Sequence, residues 1–191
     1  AIVGFSLIFY GLNLLTGDAR YADVLERVLY NGFLAGVSLD GDRFFYVNPL
    51  ESAGKHHRSE WFGCACCPPN VTRTLAALGG YAYATSADAL VVNLYVAGGA
   101  RARVGGGSVD IRVATDYPWD GRVHIAVTPD RPRAFALRLR IPGWCRSASL
   151  EVDGARRQAA PDALGYVTVE REWRAGDTVA LVLEMPVERV V

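Results

Sequence analysis

The 191-residue sequence has no surplus of either charge: twenty lysines and arginines balance twenty aspartates and glutamates. That balance gives no electrostatic basis for binding nucleic acid or an anionic membrane, and it is compatible with a neutral partner such as a sugar or another protein. A bilayer-length apolar run is also missing. The opening stretch Ala1-Ile2-Val3-Gly4-Phe5-Ser6-Leu7-Ile8-Phe9-Tyr10 meets Asn13, Gly17 and Asp18 before reaching the roughly 20 apolar residues of a membrane span. No basic region precedes it, which argues against a secretory signal. Cysteine is scarce. Four in a chain of this length are too few for a disulfide scaffold, and the adjacent Cys66 and Cys67 could pair only through a strained ring. Reduced thiols, and with them a cytoplasmic setting, are expected. No internal repeat is visible. Apolar content is not lacking: 51% of residues are hydrophobic, which is ample for a core and excludes a disordered chain.

Two textures follow one another. Up to about Thr85 the pattern is mainly helical. Residues 1–15 form an apolar helix stopped by Gly17, and Asp18 is placed to cap the next one. There Tyr21, Val24, Leu25, Val28 and Leu29 recur at helical spacing until Asn31-Gly32 closes the run. Asp40-Gly41 signals a turn, Phe44-Phe45-Tyr46-Val47 a short strand, and residues 50–63 an irregular loop holding His56 and His57. After Pro68-Pro69, Asn70 can cap a third helix through Leu78, ended by Gly79-Gly80. From about Ala89 the period becomes two. Strands are expected at 90–95, 108–113, 122–127, 134–141 and 178–183, with turn clusters between them. Alternation such as Leu137/Arg138/Leu139/Arg140 marks one buried and one wet face, and the whole predicts an antiparallel sandwich. Both ends of the sequence stop in mid-pattern, so it reads as a piece of a longer protein.

Three of the four cysteines lie within Cys64-Ala65-Cys66-Cys67, flanked by Trp61-Phe62-Gly63 and Pro68-Pro69-Asn70. Thiols held this close suit a soft metal or an activated sulfur nucleophile. Cys64 and Cys67 have the spacing of a structural zinc pair, yet no second pair follows. Cys145, after a strand, is expected in the core. A zinc site therefore cannot be closed from these cysteines alone, and the thiols could equally pack as small apolar groups in a tight turn. His56 and His57 are expected to be solvated, and His124 to sit on the sandwich surface. Trp61 could stack on a sugar face, although an aromatic before a turn is more often core.

Tyr46-Val47-Asn48-Pro49-Leu50-Glu51 and the segment from Trp61 through Cys-x-Cys-Cys-Pro-Pro-Asn70 resemble the β-L-arabinofuranosidases of glycoside hydrolase family 127. Leu15-Thr16-Gly17-Asp18-Ala19-Arg20-Tyr21, Leu29-Tyr30-Asn31-Gly32, Tyr117-Pro118-Trp119-Asp120-Gly121 and Arg140-Ile141-Pro142-Gly143-Trp144 fit as well. The resemblance implies an α+β chain, with residues 1–85 the terminal helices of an (α/α)6 catalytic barrel and 86–191 a β-sandwich. It implies a zinc ion held by a glutamate and three cysteines. Cys66 would be both nucleophile and zinc ligand, Cys67 a neighbouring ligand, and Tyr46 a tyrosine beside the nucleophile. The remaining ligands, in a Glu-x-Cys motif, and the acid/base glutamate would lie upstream of Ala1. The implied partner is an arabinose-containing oligosaccharide, and the 191 residues alone would be inactive. Uncovered barrel helices would favour self-association. Two other readings stay open: a non-catalytic carbohydrate-binding or structural sandwich, and a cluster serving only as a structural metal or redox site.

Overall fold

The computed structural model describes residues 2–49, 51–64, 66, 68–187 and 189. The described chain divides into two compact units. One holds the residues up to Thr16 together with Tyr21–Leu78, and the other holds Gly17–Arg20 with the residues from Gly79 onward. The fold class is α+β, as expected. No helix among the described residues is long and apolar enough to cross a membrane.

The first unit is helical at both ends. Helix α1 (Ile2–Thr16) is apolar along most of its length, yet it buries Ser6 and Asn13 and leaves Phe5, Leu7, Ile8, Leu14 and Leu15 exposed. Helix α2 (Ala19–Arg27) follows Gly17, whose φ of 66° suits the left-handed residue that ends a helix. The Arg20 amide donates to Asp18 Oδ1 at 2.9 Å, so Asp18 caps the helix as expected. Ala22, Leu25, Leu29 and Phe33 are buried. The Asn31-Gly32 pair does not close the run. Val28–Phe33 widens into a π-helical turn, with the Leu34 amide donating to the Leu29 carbonyl, and Leu34–Gly36 continues as a 3-10 turn. Burial of Leu29 and Phe33 one turn apart outweighs the local stop signal.

The expected strand at 44–47 is reduced to bridges: Phe44 pairs with Val37 and with Ser59. The next amide, that of Phe45, turns away to the Gly36 carbonyl at 2.9 Å, which ends the ladder. Helix α3 (Pro68–Ala82) starts earlier and stops later than its sequence signals. Proline is favoured in a first helical turn, where its missing N–H costs nothing. Asn70 lies inside that turn and is not the cap. Gly79-Gly80 are helical, and the helix runs on to the buried Tyr81 and Ala82.

The second unit is built from two sheets. One has the order β1–β2–β6–β9, made of β1 (Tyr83–Thr85), β2 (Ala89–Val92), β6 (Arg133–Arg140) and β9 (Tyr166–Trp173). The other has the order β3–β4–β5–β10–β7–β8, made of β3 (Gly98–Val104), β4 (Gly107–Thr115), β5 (Arg122–Pro129), β7 (Ala148–Val152), β8 (Ala155–Gln158) and β10 (Asp177–Leu183). Pairing is antiparallel except between β2 and β6, which run parallel with Leu90 opposite Leu137. The antiparallel sandwich expected from the sequence is present, with this one parallel pair among the pairings described.

Inward residues of both sheets merge into one core. Leu90, Val92, Leu137 and Leu139 come from the first sheet, and Val109, Val123, Val127, Leu150 and Leu181 from the second; all are fully buried. Each such side chain contributes about 1.5–3 kcal/mol on leaving water. Trp173 stacks on Phe135, and its Nε1 donates to the Phe135 carbonyl at 2.9 Å. The strand expected through residue 95 stops at Val92 because the Asn93 and Leu94 amides both turn to the Ala82 carbonyl. The buried Arg140 Nε then donates to the Asn93 carbonyl at 2.5 Å, and Tyr166 Oη donates to Asn93 Oδ1 at 2.6 Å. Gly121 is required by packing: a Cβ there would lie 1.9 Å from the Leu183 carbonyl oxygen.

Candidate active site

The site lies in the first unit, where the segment after the 3-10 turn meets the cysteine cluster. Gly41, with φ of 76°, closes a tight turn: its amide donates to the Ser38 carbonyl at 3.0 Å, and the Ser38 amide to the Arg43 carbonyl at 2.8 Å. The turn returns Phe44, Phe45 and Tyr46 alongside Gly36. Phe44 is held in a bridge and the chain bends at Tyr46, which leaves both rings on one side. Phe44 and Tyr46 accordingly both contact Phe62, at centroid distances of 5.9 and 5.4 Å, the tyrosine edge-on. Phe45 instead stacks on His56 at 4.8 Å and lies under the Arg58 guanidinium at 4.4 Å.

Tyr46 Oη reaches Cys66 Sγ at 3.1 Å, across twenty positions of sequence. The two sequence-predicted catalytic residues are thus brought together, and both are exposed. Cys66 is fixed from the other side by the start of α3. Asn70 Nδ2 donates to the Cys66 carbonyl at 3.1 Å, and the buried Thr74 hydroxyl donates to the Asn70 carbonyl at 2.8 Å. Asn70 therefore holds the backbone carbonyl of Cys66.

The other expected residues fall as follows. Cys67, the second expected zinc ligand, lies outside the described residues. Trp61 is 62% exposed, and no hydrogen bond or ring contact joins it to the Tyr46–Cys66 pair among the described residues. Cys64 is an exposed thiol. His57 is exposed, as expected. His56 is tied down more than a solvated loop histidine would be: its Nε2 donates to the Val47 carbonyl at 2.8 Å while its ring stacks on Phe45. Cys145 is half-buried in the sandwich and donates to the Ser147 carbonyl at 3.1 Å; burial pushes its thiol pKa up, which suits an inert structural cysteine. His124 is exposed on β5.

Thiolate sulfur is the right donor chemistry for zinc. Among the described residues, however, no three His, Cys, Asp or Glu side chains gather into a group able to hold a metal ion. These residues do not complete a zinc site by themselves.

Sequence reasoning missed Phe62, which packs on Tyr46, and the Arg58 and His56 partners of Phe45. A signal was present. Three successive aromatic rings cannot all pack on one neighbour, so more than one partner is needed.

Comparison with known proteins adds the following. Residues 1–80 match the family model described as the GH127 β-L-arabinofuranosidase catalytic domain, and residues 89–185 the model for the GH127 middle domain. A non-reducing end β-L-arabinofuranosidase of Bifidobacterium longum subsp. longum is 37% identical, over 90% of this chain and 28% of its own length. A GH127 β-L-arabinofuranosidase crystal structure from Geobacillus stearothermophilus T6 superposes with a TM-score of 0.89 at 42% identity, covering 98% of this chain and 32% of that one. A second GH127 β-arabinofuranosidase structure gives a TM-score of 0.89 at 40% identity over 97% of this chain and 32% of that one. The chain spans about a third of the length of the relatives it matches.

Proposed function

Because this chain belongs to glycoside hydrolase family 127, we propose that it forms part of a retaining β-L-arabinofuranosidase in which the Cys66 thiolate is the nucleophile. Tyr46, at hydrogen-bond distance from the sulfur, is the observation that carries this reading. An exposed thiol held at one point by a hydroxyl and at its own carbonyl by Asn70 is aimed rather than merely packed.

Most retaining glycosidases use a carboxylate nucleophile. Here sulfur would attack the anomeric carbon, forming a C–S bond as the C–O bond to the leaving sugar breaks. The leaving oxygen takes a proton from a general acid. In the second step water, deprotonated by the same group, displaces the sulfur and releases arabinose with retained configuration. Tyr46 would hold the sulfur in line during both displacements. The acid/base glutamate is proposed to lie outside these 191 residues, and the chain alone to be inactive; the family resemblance supports this reading. Zinc belongs to the proposal for the longer polypeptide, with Cys66 and Cys67 among its ligands; when bound it keeps cysteine sulfur ionised at neutral pH. The proposed substrate class is an arabinose-containing oligosaccharide, and the proposed setting is cytoplasmic, supported by the scarcity of cysteine in the sequence.

The test is Cys66→Ser in the full-length polypeptide that contains these residues, assayed on an aryl β-L-arabinofuranoside. A loss of more than about a thousandfold in kcat supports the assignment, since a hydroxyl lacks the thiolate's nucleophilicity. Undiminished turnover would return the chain to a binding or structural role.

A further inference from the structure

We propose that Arg58 is a positioning residue for the Tyr46–Cys66 pair, acting through Phe45 and His56. Its importance for turnover rests on the reading of Cys66 as nucleophile, although the geometry stands apart from that reading.

Phe45 packs on His56 while the adjacent Tyr46 packs on Phe62, so whatever fixes Phe45 limits the direction in which Tyr46 can point. Phe45 carries two stacked partners. The Arg58 guanidinium carbon lies 4.4 Å from its ring centroid, and the His56 ring lies 4.8 Å away at an interplanar angle of 21°. Both partners are themselves anchored to backbone. Arg58 Nη2 donates to the Ala35 carbonyl at 2.8 Å, and His56 Nε2 to the Val47 carbonyl at 2.8 Å. The Phe45 amide donates to the Gly36 carbonyl at 2.9 Å. Tyr46 is therefore flanked by a fixed amide at Phe45 and a fixed carbonyl at Val47, and the second is held by His56, whose ring stacks on Phe45.

Arg58 holds this place at a cost. Its Nε is buried with no hydrogen-bond partner among the described residues. A flat cation over the ring face uses the guanidinium in a way that a lysine, with its compact charge, would not reproduce. The surroundings also separate positioning from simple scaffolding: Cys64 and Trp61, close by in sequence, remain exposed, and Cys145 lies in the other unit.

The test reads each thiol separately. The 191-residue chain is treated with iodoacetamide at fixed pH, and the alkylation rates of Cys66, Cys64 and Cys145 are followed by peptide mass spectrometry. Tyr46→Phe removes the hydroxyl and is expected to change the Cys66 rate about threefold or more. Arg58→Ala, and independently the milder His56→Ala at an exposed ring, should change it in the same direction by at least half as much on a logarithmic scale. Cys64 and Cys145 should keep their rates, the latter reporting that the sandwich stays folded. The Tyr46→Phe/Arg58→Ala double variant should match Tyr46→Phe alone, because Arg58 would have no hydroxyl left to position. Three outcomes overturn the proposal: a Cys66 rate indifferent to Tyr46→Phe, a Cys66 rate unmoved by both Arg58→Ala and His56→Ala, or equal changes at Cys64 and Cys66, which signify a loosened loop. Failure of the hydrolase reading shows elsewhere, as turnover surviving Cys66→Ser.

Discussion

Tyr46 and Cys66 meet because two local devices converge on them. The Ser38–Arg43 turn brings the tyrosine back along Gly36, and Asn70 holds the cysteine's carbonyl at the start of α3. If the hydroxyl acts on the sulfur, Tyr46→Phe in the full-length enzyme should lower kcat by about tenfold, the effect of roughly one hydrogen bond made in the transition state. KM and the melting temperature should barely move, since the hydroxyl lies at an exposed contact. The cysteine motif was legible because three thiols within four residues are chemically unusual, whereas Tyr46 was reached through the family resemblance. Arg58 and Phe62 were not legible, because a cation on a ring and an edge-on aromatic pair leave no period in a sequence. His56 was read as solvated for the same reason: its anchor, the Val47 carbonyl, is backbone and carries no residue identity.

Among the elements, β6 is the strand on which the first sheet depends, lying between the parallel β2 and the antiparallel β9. Leu137→Ala should cost about 2–5 kcal/mol in denaturant unfolding, the transfer loss plus a cavity that two neighbouring strands cannot fill. His124→Ala on the outer face of β5 should stay within about 0.5 kcal/mol of the parent protein. β1, β7 and β9 were passed over, although β7 and β9 alternate, while β2, β4, β5, β6 and β10 were readable from sequence. β3 and β8 were not: Gly98-Gly99-Ala100-Arg101-Ala102-Arg103 has no β-branched residue before Val104, and Ala155–Gln158 is exposed throughout. They are strands because β4 and β7 offer them partners. The Asn31-Gly32 and Gly79-Gly80 pairs show the converse, local stop signals overridden by burial of neighbouring side chains.

Across the whole molecule, charge and apolar surface lead to two further expectations. Hydrogen bonds from Arg101, Arg122 and Arg133 hold the carboxyls of Asp110, Asp120 and Asp130 below the ordinary carboxylate range. A depressed carboxyl stabilises the fold in full above its unfolded pKa of about 3.9, and that stabilisation is lost as pH falls through the folded value. The melting temperature should therefore be level from about pH 7 to 5 and drop below about pH 4. The drop should be modest, because these carboxylates are solvent-accessible. Helix α1 leaves five large apolar side chains in water, Leu15 among them at 84% exposure. Such a face favours association, so sedimentation velocity of the 191-residue chain should show concentration-dependent oligomers that Ile8→Glu/Leu15→Glu diminishes.

The placement of β10 bears on how this polypeptide comes into being. Late in the sequence, it nevertheless occupies an interior position of the six-stranded sheet, pairing with β5 on one side and β7 on the other. Before it emerges, β5 and β7 lack the strand that pairs with both of them in the finished sheet. Closure waits for the final insertion, which joins both at once. Acquisition of structure in this half should therefore be slow and all-or-none, dominated by long-range pairing, and nascent chains halted before Asp177 should depend on chaperones that shield strand edges.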